Sequence, residues 1–451
     1  MPLKQPPLRK NDEITLEIDA LNSEGSGVGR VDGFAVFVPG ALSGERLRAH
    51  VIKVTSSYAV AKALEILSPA PERVKPRCAA YAACGGCTLQ HLSYPAQLLE
   101  KQRLVRDALQ RLGGFVEPPV GPTHGMEEPW RYRNKGSFPF GGGDVAVFGF
   151  YAARSHRLVP IADCPIQDAR VLDIAQRVAA WAAEQRVLPY DETTRKGQLR
   201  HVMARVSASG ETLAVVVTKG PLPKQASLIE ALEGVDSLWH NQNEDDTNVI
   251  FGERFTLLAG APRIHETVGG LRFSLGPQSF LQVNPSQTAL LYDRAIALLA
   301  PKKTEILIDA YCGIGTISLM LAKRAMKVIG IEQVAAAIED ARENAKQNGI
   351  ENAEFHTGAV EDLLPKLLET ESVSALVLDP PRKGCGEAAL NAIGKSRIQR
   401  LVYISCNPAT LARDCKLLKS YGFSLDAAEP VDMFPHTSHV ECVVRMARMK
   451  A

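Results

Sequence analysis

The stretch EILIDAYCGIGTISLMLA, Glu305 to Ala322, decides how this 451-residue chain folds. Ile306, Leu307 and Ile308 run apolar up to Asp309, the texture of a strand buried on both faces. Gly313 and Gly315 then supply a turn, and TISLMLA continues at helical spacing. Strand, glycine turn and helix let the backbone approach a ligand at the carboxyl edge of a parallel sheet. The same texture recurs outward from this point. KVIGIE, AEFHTG, ALVLD and LVYIS are short apolar strands separated by helical stretches, and a helix is expected from Pro285 to Leu299. The chain beyond about Leu271 therefore has the pattern of an α/β doubly wound, Rossmann-like sheet.

Glu332 closes the next strand, 23 residues after Asp309. A carboxylate there can accept hydrogen bonds from both hydroxyls of a ribose, which points to an adenosine-type ligand. Ser318 stands where the dinucleotide fingerprint needs a third glycine, and no Gly-Lys-Ser/Thr phosphate loop exists. NAD and nucleoside triphosphates are thus poorly served, and S-adenosylmethionine fits better. In ALVLDPPRKG a strand ends in Asp379, and two prolines stiffen the loop beyond it at the same sheet edge.

LVYISCNPATLARD, Leu401 to Asp414, sets Cys406 at the tip of the following strand. Asn407-Pro408 is expected to stop both strand and helix and so present the sulfur to the crevice. A thiolate beside a methyl donor implies one chemistry. Carbon 5 of a pyrimidine is a weak nucleophile until a thiolate adds to carbon 6, and a base must later remove the hydrogen on carbon 5. FPHTSHVECVVRM offers Glu441 for that step, at the head of a short apolar strand with His436 and His439 upstream.

Cys78, Cys84 and Cys87 in PRCAAYAACGGCTLQ are spaced C-x5-C-x2-C, and Cys164 in IADCPIQ precedes a proline. Three clustered thiols plus one distant Cys-Pro suit a four-cysteine metal site, for which a 4Fe-4S cluster is favoured and zinc competes. Cys312, Cys385, Cys415 and Cys442 are expected as packing thiols.

The 52 Lys plus Arg against 50 Asp plus Glu leave +2, so a polyanion must be met by a local patch. WRYRNK, Trp130 to Lys135, interleaves aromatics with cations, and TTRKGQLRHV adds Arg195, Lys196, Arg200 and His201. Both are expected to touch nucleic acid. From Glu72 to Lys135 ten basic residues face six acidic ones. The first residues lack a signal peptide core, and no apolar run approaches the roughly 18 residues of a membrane span. A cytoplasmic protein with reduced thiols and no membrane partner is expected. Short alternating strands from Ile14 to about Leu67 suggest a β-barrel of oligonucleotide-binding type. Residues 69–77 read as a linker, 94–112 as a helix buried through Leu98, Val105, Leu109 and Leu112, and 130–262 as α+β.

In serial order these motifs, with LRHVMAR, SFLQVNPSQ, DAYCGIGT, DPPRKG, SCNPATLARD and HTSHVE, resemble the iron-sulfur, TRAM-domain RNA (uracil-5)-methyltransferases, specifically their 23S ribosomal RNA branch. The resemblance covers nearly the whole chain. It implies a TRAM barrel over 1–68, a central iron-sulfur and RNA-binding domain over 69–92 and 125–264, and a methyltransferase domain over 93–124 and 265–451. It implies that Cys406 is the nucleophile and Glu441 the resolving base. Gln282, Tyr311, Glu332 and Asp379 would bind S-adenosylmethionine, and the helix of residues 94–112 would pack on the catalytic domain. The expected partner is 23S ribosomal RNA, without an obligate protein partner. Uracil-5 methylation of tRNA and a non-catalytic RNA assembly factor are the alternatives. Tyr311 stands where some relatives carry phenylalanine, and Thr316 where others carry asparagine.

Overall fold

The computed structural model describes residues 6–143 and 145–449. The N-terminal segment alternates inward apolar with outward polar side chains and closes on itself. β1 (Glu13–Leu21), β2 (Gly27–Val31), β3 (Phe34–Val38), β4 (Arg46–Val54) and β5 (Tyr58–Ser68) form a closed barrel in the order β1-β2-β3-β5-β4. Along β4, Leu47, Ala49 and Val51 are buried while Arg46 and Arg48 stay outside. Gly29 is required by the close strand approach, because a Cβ there would lie 2.3 Å from the Glu17 carbonyl oxygen. The stretch expected as a linker is pinned to this barrel. Buried Glu45 accepts hydrogen bonds from the Leu42 and Ala70 amides and from the Arg73 guanidinium at 2.5 and 2.8 Å.

α1 (Tyr94–Arg111) leads to a seven-stranded central sheet. Its strands are β6 (Lys135–Gly141), β7 (Val147–Tyr151), β8 (Leu158–Pro160), β9 (Leu199–Val206), β10 (Thr212–Thr218), β11 (Ser237–Gln242) and β12 (Arg254–Gly260). They lie in the order β12-β11-β10-β9-β6-β7-β8, with α2 (Ala169–Glu184) against β6, β7 and β9, and α3 (Gln225–Ala231) against α2. A hairpin of β13 (Ile264–Val268) and β14 (Leu271–Leu275) follows. Leu213, Val215 and Val217 of β10 share one apolar core with this hairpin and with the domain that comes next.

That domain contains α4 (Pro285–Leu299), β15 (Ile306–Ala310), α5 (Thr316–Ala322), β16 (Lys327–Glu332), α6 (Ala335–Gln347), β17 (Ala353–Thr357) and α7 (Val360–Thr370). β18 (Val373–Leu378), α8 (Glu387–Lys395), β19 (Arg400–Ser405), α9 (Pro408–Ser420), β20 (Phe423–Val431) and β21 (Glu441–Arg448) complete it. The sheet order is β17-β16-β15-β18-β19-β21-β20, and β21 runs antiparallel to both of its neighbours. The order reverses beside β15, which opens a ligand crevice over the carboxyl ends of β15 and β18. Asn407-Pro408 starts α9 instead of stopping the chain. Asn407 accepts a hydrogen bond from the Ala409 amide as N-cap, and Pro408 occupies the first turn.

α1 packs on α9 and β20 of this last domain. Its buried residues are Gln97, Lys101, Val105 and Leu109, whereas Leu112 is 51% exposed. Val105 and Leu109 face inward as expected, but the rest of the buried face is polar, because two such side chains find partners inside. The Lys101 ammonium meets Asp432 at 2.5 Å and the Phe434 carbonyl at 3.0 Å. The Gln97 amide donates to the Leu89 and Leu92 carbonyls.

The segment between β20 and β21, residues 432–440, is the crossing point of the molecule. His436, at φ 67°, donates its amide to Gln97 Oε1, and its ring stacks on Trp130 with centroids 3.7 Å apart. Its carbonyl accepts from the Thr88 and Leu89 amides, directly after Cys87. Tyr132 donates to the Pro435 carbonyl and Asn284 to that of Met433. Among the described residues no helix is long and apolar enough to cross a membrane.

Removing one member of the Lys101–Asp432 pair leaves a charge stranded in a dry interior. Lys101→Met is expected to lower unfolding stability by about 3–5 kcal/mol, and Lys101→Met with Asp432→Leu to recover most of it. Urea unfolding followed by fluorescence measures both, and equal midpoints for wild type and the single variant would refute it.

Candidate active site

A cleft of about 1260 Å³ runs over the carboxyl edge of the catalytic sheet and along the central domain. Cys406, Glu441, Gln282, Tyr311, Glu332, Asp379, Cys78, Cys84, Cys87 and Cys164 all line it.

One corner is built by the turn after β15. Tyr311, Gly313 and Gly315 all have left-handed backbone, with φ of 69°, 54° and 82°. A Cβ at Gly315 would come within 3.1 Å of Ala341 and Phe355, so glycine is needed there, while in front of Gly313 there is open space. Glu332 at the end of β16 accepts hydrogen bonds from the Gly313 amide at 3.3 Å and the Val334 amide at 2.9 Å. Behind the turn, Asp309 is fully buried. Ser318 donates to one carboxyl oxygen at 2.5 Å, and the other, Oδ1, has no partner. Burial, aided by the charge of Glu332, pushes the Asp309 carboxyl up to about 7.

The second corner holds the thiol. Cys406 is half-buried at the end of β19. Asn407 Nδ2 and Thr410 Oγ1 donate to the Arg382 carbonyl at 3.2 and 3.3 Å, which locks the Asp-Pro-Pro-Arg loop onto the start of α9. Burial pushes the Cys406 thiol up, as do the charges of Glu441 and Asp379, while Arg382 opposes them. Glu441, 3% exposed, is no surface strand carboxylate. Burial and then Asp379 push it up to about 8, and Asp379 itself is raised to about 7 by burial and Asp309. Burial and mutual charge thus disfavour ionising these acids together, and Arg382 opposes that shift at Glu441. Tyr292 of α4 also lines the cleft, within the field of Asp379 and Glu441. Its place on an ordinary amphipathic helix gave no signal in the sequence.

The third corner is made of thiols. All four cysteines are unpaired. Burial pushes Cys87 up to about 12 and Cys164 up to about 11, and Cys78, Cys84 and Cys164 lie within electrostatic reach of Cys87. The Gly86 amide donates to Cys84 Sγ at 3.4 Å, and the Cys78 amide to Gln90 Oε1 at 3.1 Å. A Cβ at Gly85 would come within 2.9 Å of the Ala153 backbone, which explains a glycine inside this loop. Among the described residues no group of three or more His, Cys, Asp or Glu converges tightly enough to hold a single metal ion.

The aromatic residues of WRYRNK do not face the cleft. Trp130 is covered by His436 and by the Arg77 guanidinium, 4.7 Å from its ring, and Tyr132 is 6% exposed. Arg131 pairs with Asp163. Only Arg133 and Lys135 of that stretch line the cleft. In the second basic stretch, Arg200 is buried and donates to the Asn243 and Asp245 carbonyls, and burial lowers His201 to about 4. These two side chains build structure and are not free to meet a phosphate. Arg205 of β9 is also buried, and it donates to the carbonyls of Ser279 and Leu281 at 3.2 Å each. It thereby fixes the loop that carries Phe280, 68% exposed, and Gln282.

The chain is similar to known proteins. The profile of the tRNA (uracil-5-)-methyltransferase family matches residues 269–449, and that of the TRAM domain matches residues 7–64. An uncharacterized RNA methyltransferase of Halalkalibacterium halodurans is 45% identical over 98% of this chain and 98% of its own. One from Bacillus cereus is 43% identical over 99% of this chain and 98% of its own. Among solved structures, the tRNA (uracil-54, C5)-methyltransferase of Pyrococcus abyssi, in complex with S-adenosyl-L-homocysteine, aligns with a TM-score of 0.78 at 27% identity. That alignment covers 96% of this chain and 100% of the other. With full-length relatives at this identity, a barrel in front and a uracil-5 catalytic domain behind, the chain belongs to the TRAM-bearing RNA (uracil-5)-methyltransferase family.

Proposed function

We propose that the chain transfers a methyl group from S-adenosylmethionine to carbon 5 of uridine in 23S ribosomal RNA, through a covalent bond between Cys406 and carbon 6. The carrying observation is that a half-buried thiol, a buried carboxyl and a carboxylate-glycine corner share one cleft, in Cys406, Glu441 and Glu332 with Gly313.

Glu332 would take the ribose hydroxyls of the donor, with Tyr311, Gln282 and Asp379 around the remainder. The open space before Gly313 fits such a ligand. Bound there, the donor supplies an electrophilic methyl group on sulfur. Cys406, as thiolate, adds to carbon 6, and the electron pair of the 5,6 double bond makes carbon 5 enolate-like and able to take the methyl group. Glu441 then removes the hydrogen from carbon 5. The freed pair restores the double bond as the carbon-sulfur bond breaks and the thiolate leaves.

Cys78, Cys84, Cys87 and Cys164 would hold a 4Fe-4S cluster. An all-thiol donor set, an amide bonded to Cys84 sulfur and a common wall of the cleft support this. Zinc is the competing occupant of the same four thiols. A bound cluster would crosslink the Cys78–Cys87 loop to the Cys164 turn.

The ribosomal target rests on the serial motifs. A second reading, uridine in tRNA, is favoured by the likeness to the Pyrococcus abyssi protein, which acts on tRNA. Mass-spectrometric mapping of 5-methyluridine in ribosomal RNA and tRNA from a deletion strain decides between them, and loss of the mark from neither would refute the reaction.

Cys406→Ala is expected to lower methyl transfer on the order of 10⁴-fold or more while RNA affinity stays within a few fold. Retained activity would exclude covalent catalysis by this thiol. In Glu441→Gln the adduct forms but is not resolved, so a protein-RNA species should survive denaturing electrophoresis. Because Glu441 acts as the base and is raised to about 8, the resolving step should speed up as pH climbs through that value. A flat profile counts against the assignment. Anaerobically purified protein should be brown, with about four irons per chain. Colourless protein carrying one zinc would overturn the cluster.

A further inference from the structure

We propose that the cleft-facing side of β6, with Arg133, Lys135 and Ser137, is the site where the RNA strand's phosphodiesters lie as its uridine reaches Cys406. This rests on the uracil-5 reading and adds a binding site to it.

The placement follows from strand periodicity. Lys135 and Ser137 are partly exposed and line the cleft, as does buried Gly136 between them, whereas Phe138 is buried behind. Arg133, two residues earlier, continues the same alternation and also lines the cleft. Lys135 sits directly across from Arg205 in the antiparallel pair with β9, so the two share a face. Arg205 cannot serve a ligand, because its guanidinium is used on the Ser279 and Leu281 carbonyls. Its positive charge nevertheless remains beside Lys135.

The cations here make no close ion pair. Among the described residues neither Arg133, Lys135 nor Arg382 forms an ion pair, although nearby Arg131 is paired with Asp163 and Arg413 with Asp414. Burial, and then the charges of Arg205 and Arg133, press the Lys135 ammonium down to about 7. Such an arrangement is unfavourable until an anion enters. His439, which also lines the cleft, lies within the field of Arg382, Lys101 and Arg133.

The chemistry selects a phosphodiester. Glu332 and the glycine turn belong to the edge of the catalytic sheet, while Arg133 and Lys135 belong to the wall made by the central sheet. A nucleotide splayed out of its stack brings the phosphates on both sides of it into the protein, one negative charge each. An arginine takes a phosphate through two parallel bonds, a lysine as a point charge, and a serine hydroxyl by donation.

The test uses the full chain and a fluorescent single-stranded oligouridine, with anisotropy read across a potassium chloride series. Lys135→Met should weaken binding about five- to tenfold at low salt and flatten the slope of log affinity against log salt by about 0.7, the share of one phosphate on a single strand. Lys135→Arg should restore both, which a mere packing defect would not allow. Affinity within twofold of wild type and an unchanged slope in Lys135→Met would overturn the site. The two readings fail separately: absent methyl transfer by wild-type protein defeats the function, and an unchanged salt slope defeats the phosphate site.

Discussion

The cleft depends on how one irregular segment is held. Residues 432–440 join β20 to β21 and deliver Glu441, and almost none of their fixing comes from the sheet itself. Lys101 reaches Asp432 and the Phe434 carbonyl from α1, Gln97 takes the His436 amide, and Tyr132 takes the Pro435 carbonyl. A buried ammonium-carboxylate pair is costly to desolvate and adds little net stability compared with an apolar contact. What it does supply is register, because Lys101 has a partner in only one rotation of the helix. That requirement explains why α1 faces inward with Gln97 and Lys101, and why an N-terminal helix serves a C-terminal domain.

The second organising constraint is the crowding of acids at the carboxyl edge. Asp309, Asp379 and Glu441 are each raised toward neutrality by burial, and each of the last two is raised further by another member of the group. Three ionised carboxylates in this small volume would repel one another and hold the Cys406 thiol protonated. Keeping protons on some of them lets the Cys406 thiol share the cleft with the Glu441 carboxyl. Arg382, held by its own backbone carbonyl to the cap of α9, sits among these groups with the opposite charge.

Much of this was legible in the residues. The parallel strands, α4 from Pro285 to Leu299, and the ends of β15, β16, β18 and β19 followed from apolar runs punctuated by glycine and proline. Asp379, Glu332 and Cys406 share a cleft because a parallel sheet brings its carboxyl ends to one edge. The features that stayed hidden depended on partners distant in sequence. Trp130 and Tyr132 look like base-stacking residues until His436 and Pro435 arrive from the far end of the chain. Arg200 looks like a phosphate ligand until the carbonyls of 243 and 245 claim it. Asn407-Pro408 can end one element or begin another, and the capping bond to the Ala409 amide makes it a helix start. Gln282 and Arg205 carry no periodic signal, because one lies in a loop and the other acts through backbone carbonyls.

The amides of Thr88 and Leu89 both rest on the carbonyl of His436, and Thr88 and Leu89 follow Cys87 without an intervening residue. The four-thiol corner and the carboxyl of Glu441 are therefore mechanically in series, separated by a few peptide units and no flexible joint. Any displacement of the loop that ends at Cys87 is thus carried through two backbone hydrogen bonds into the segment that ends at Glu441.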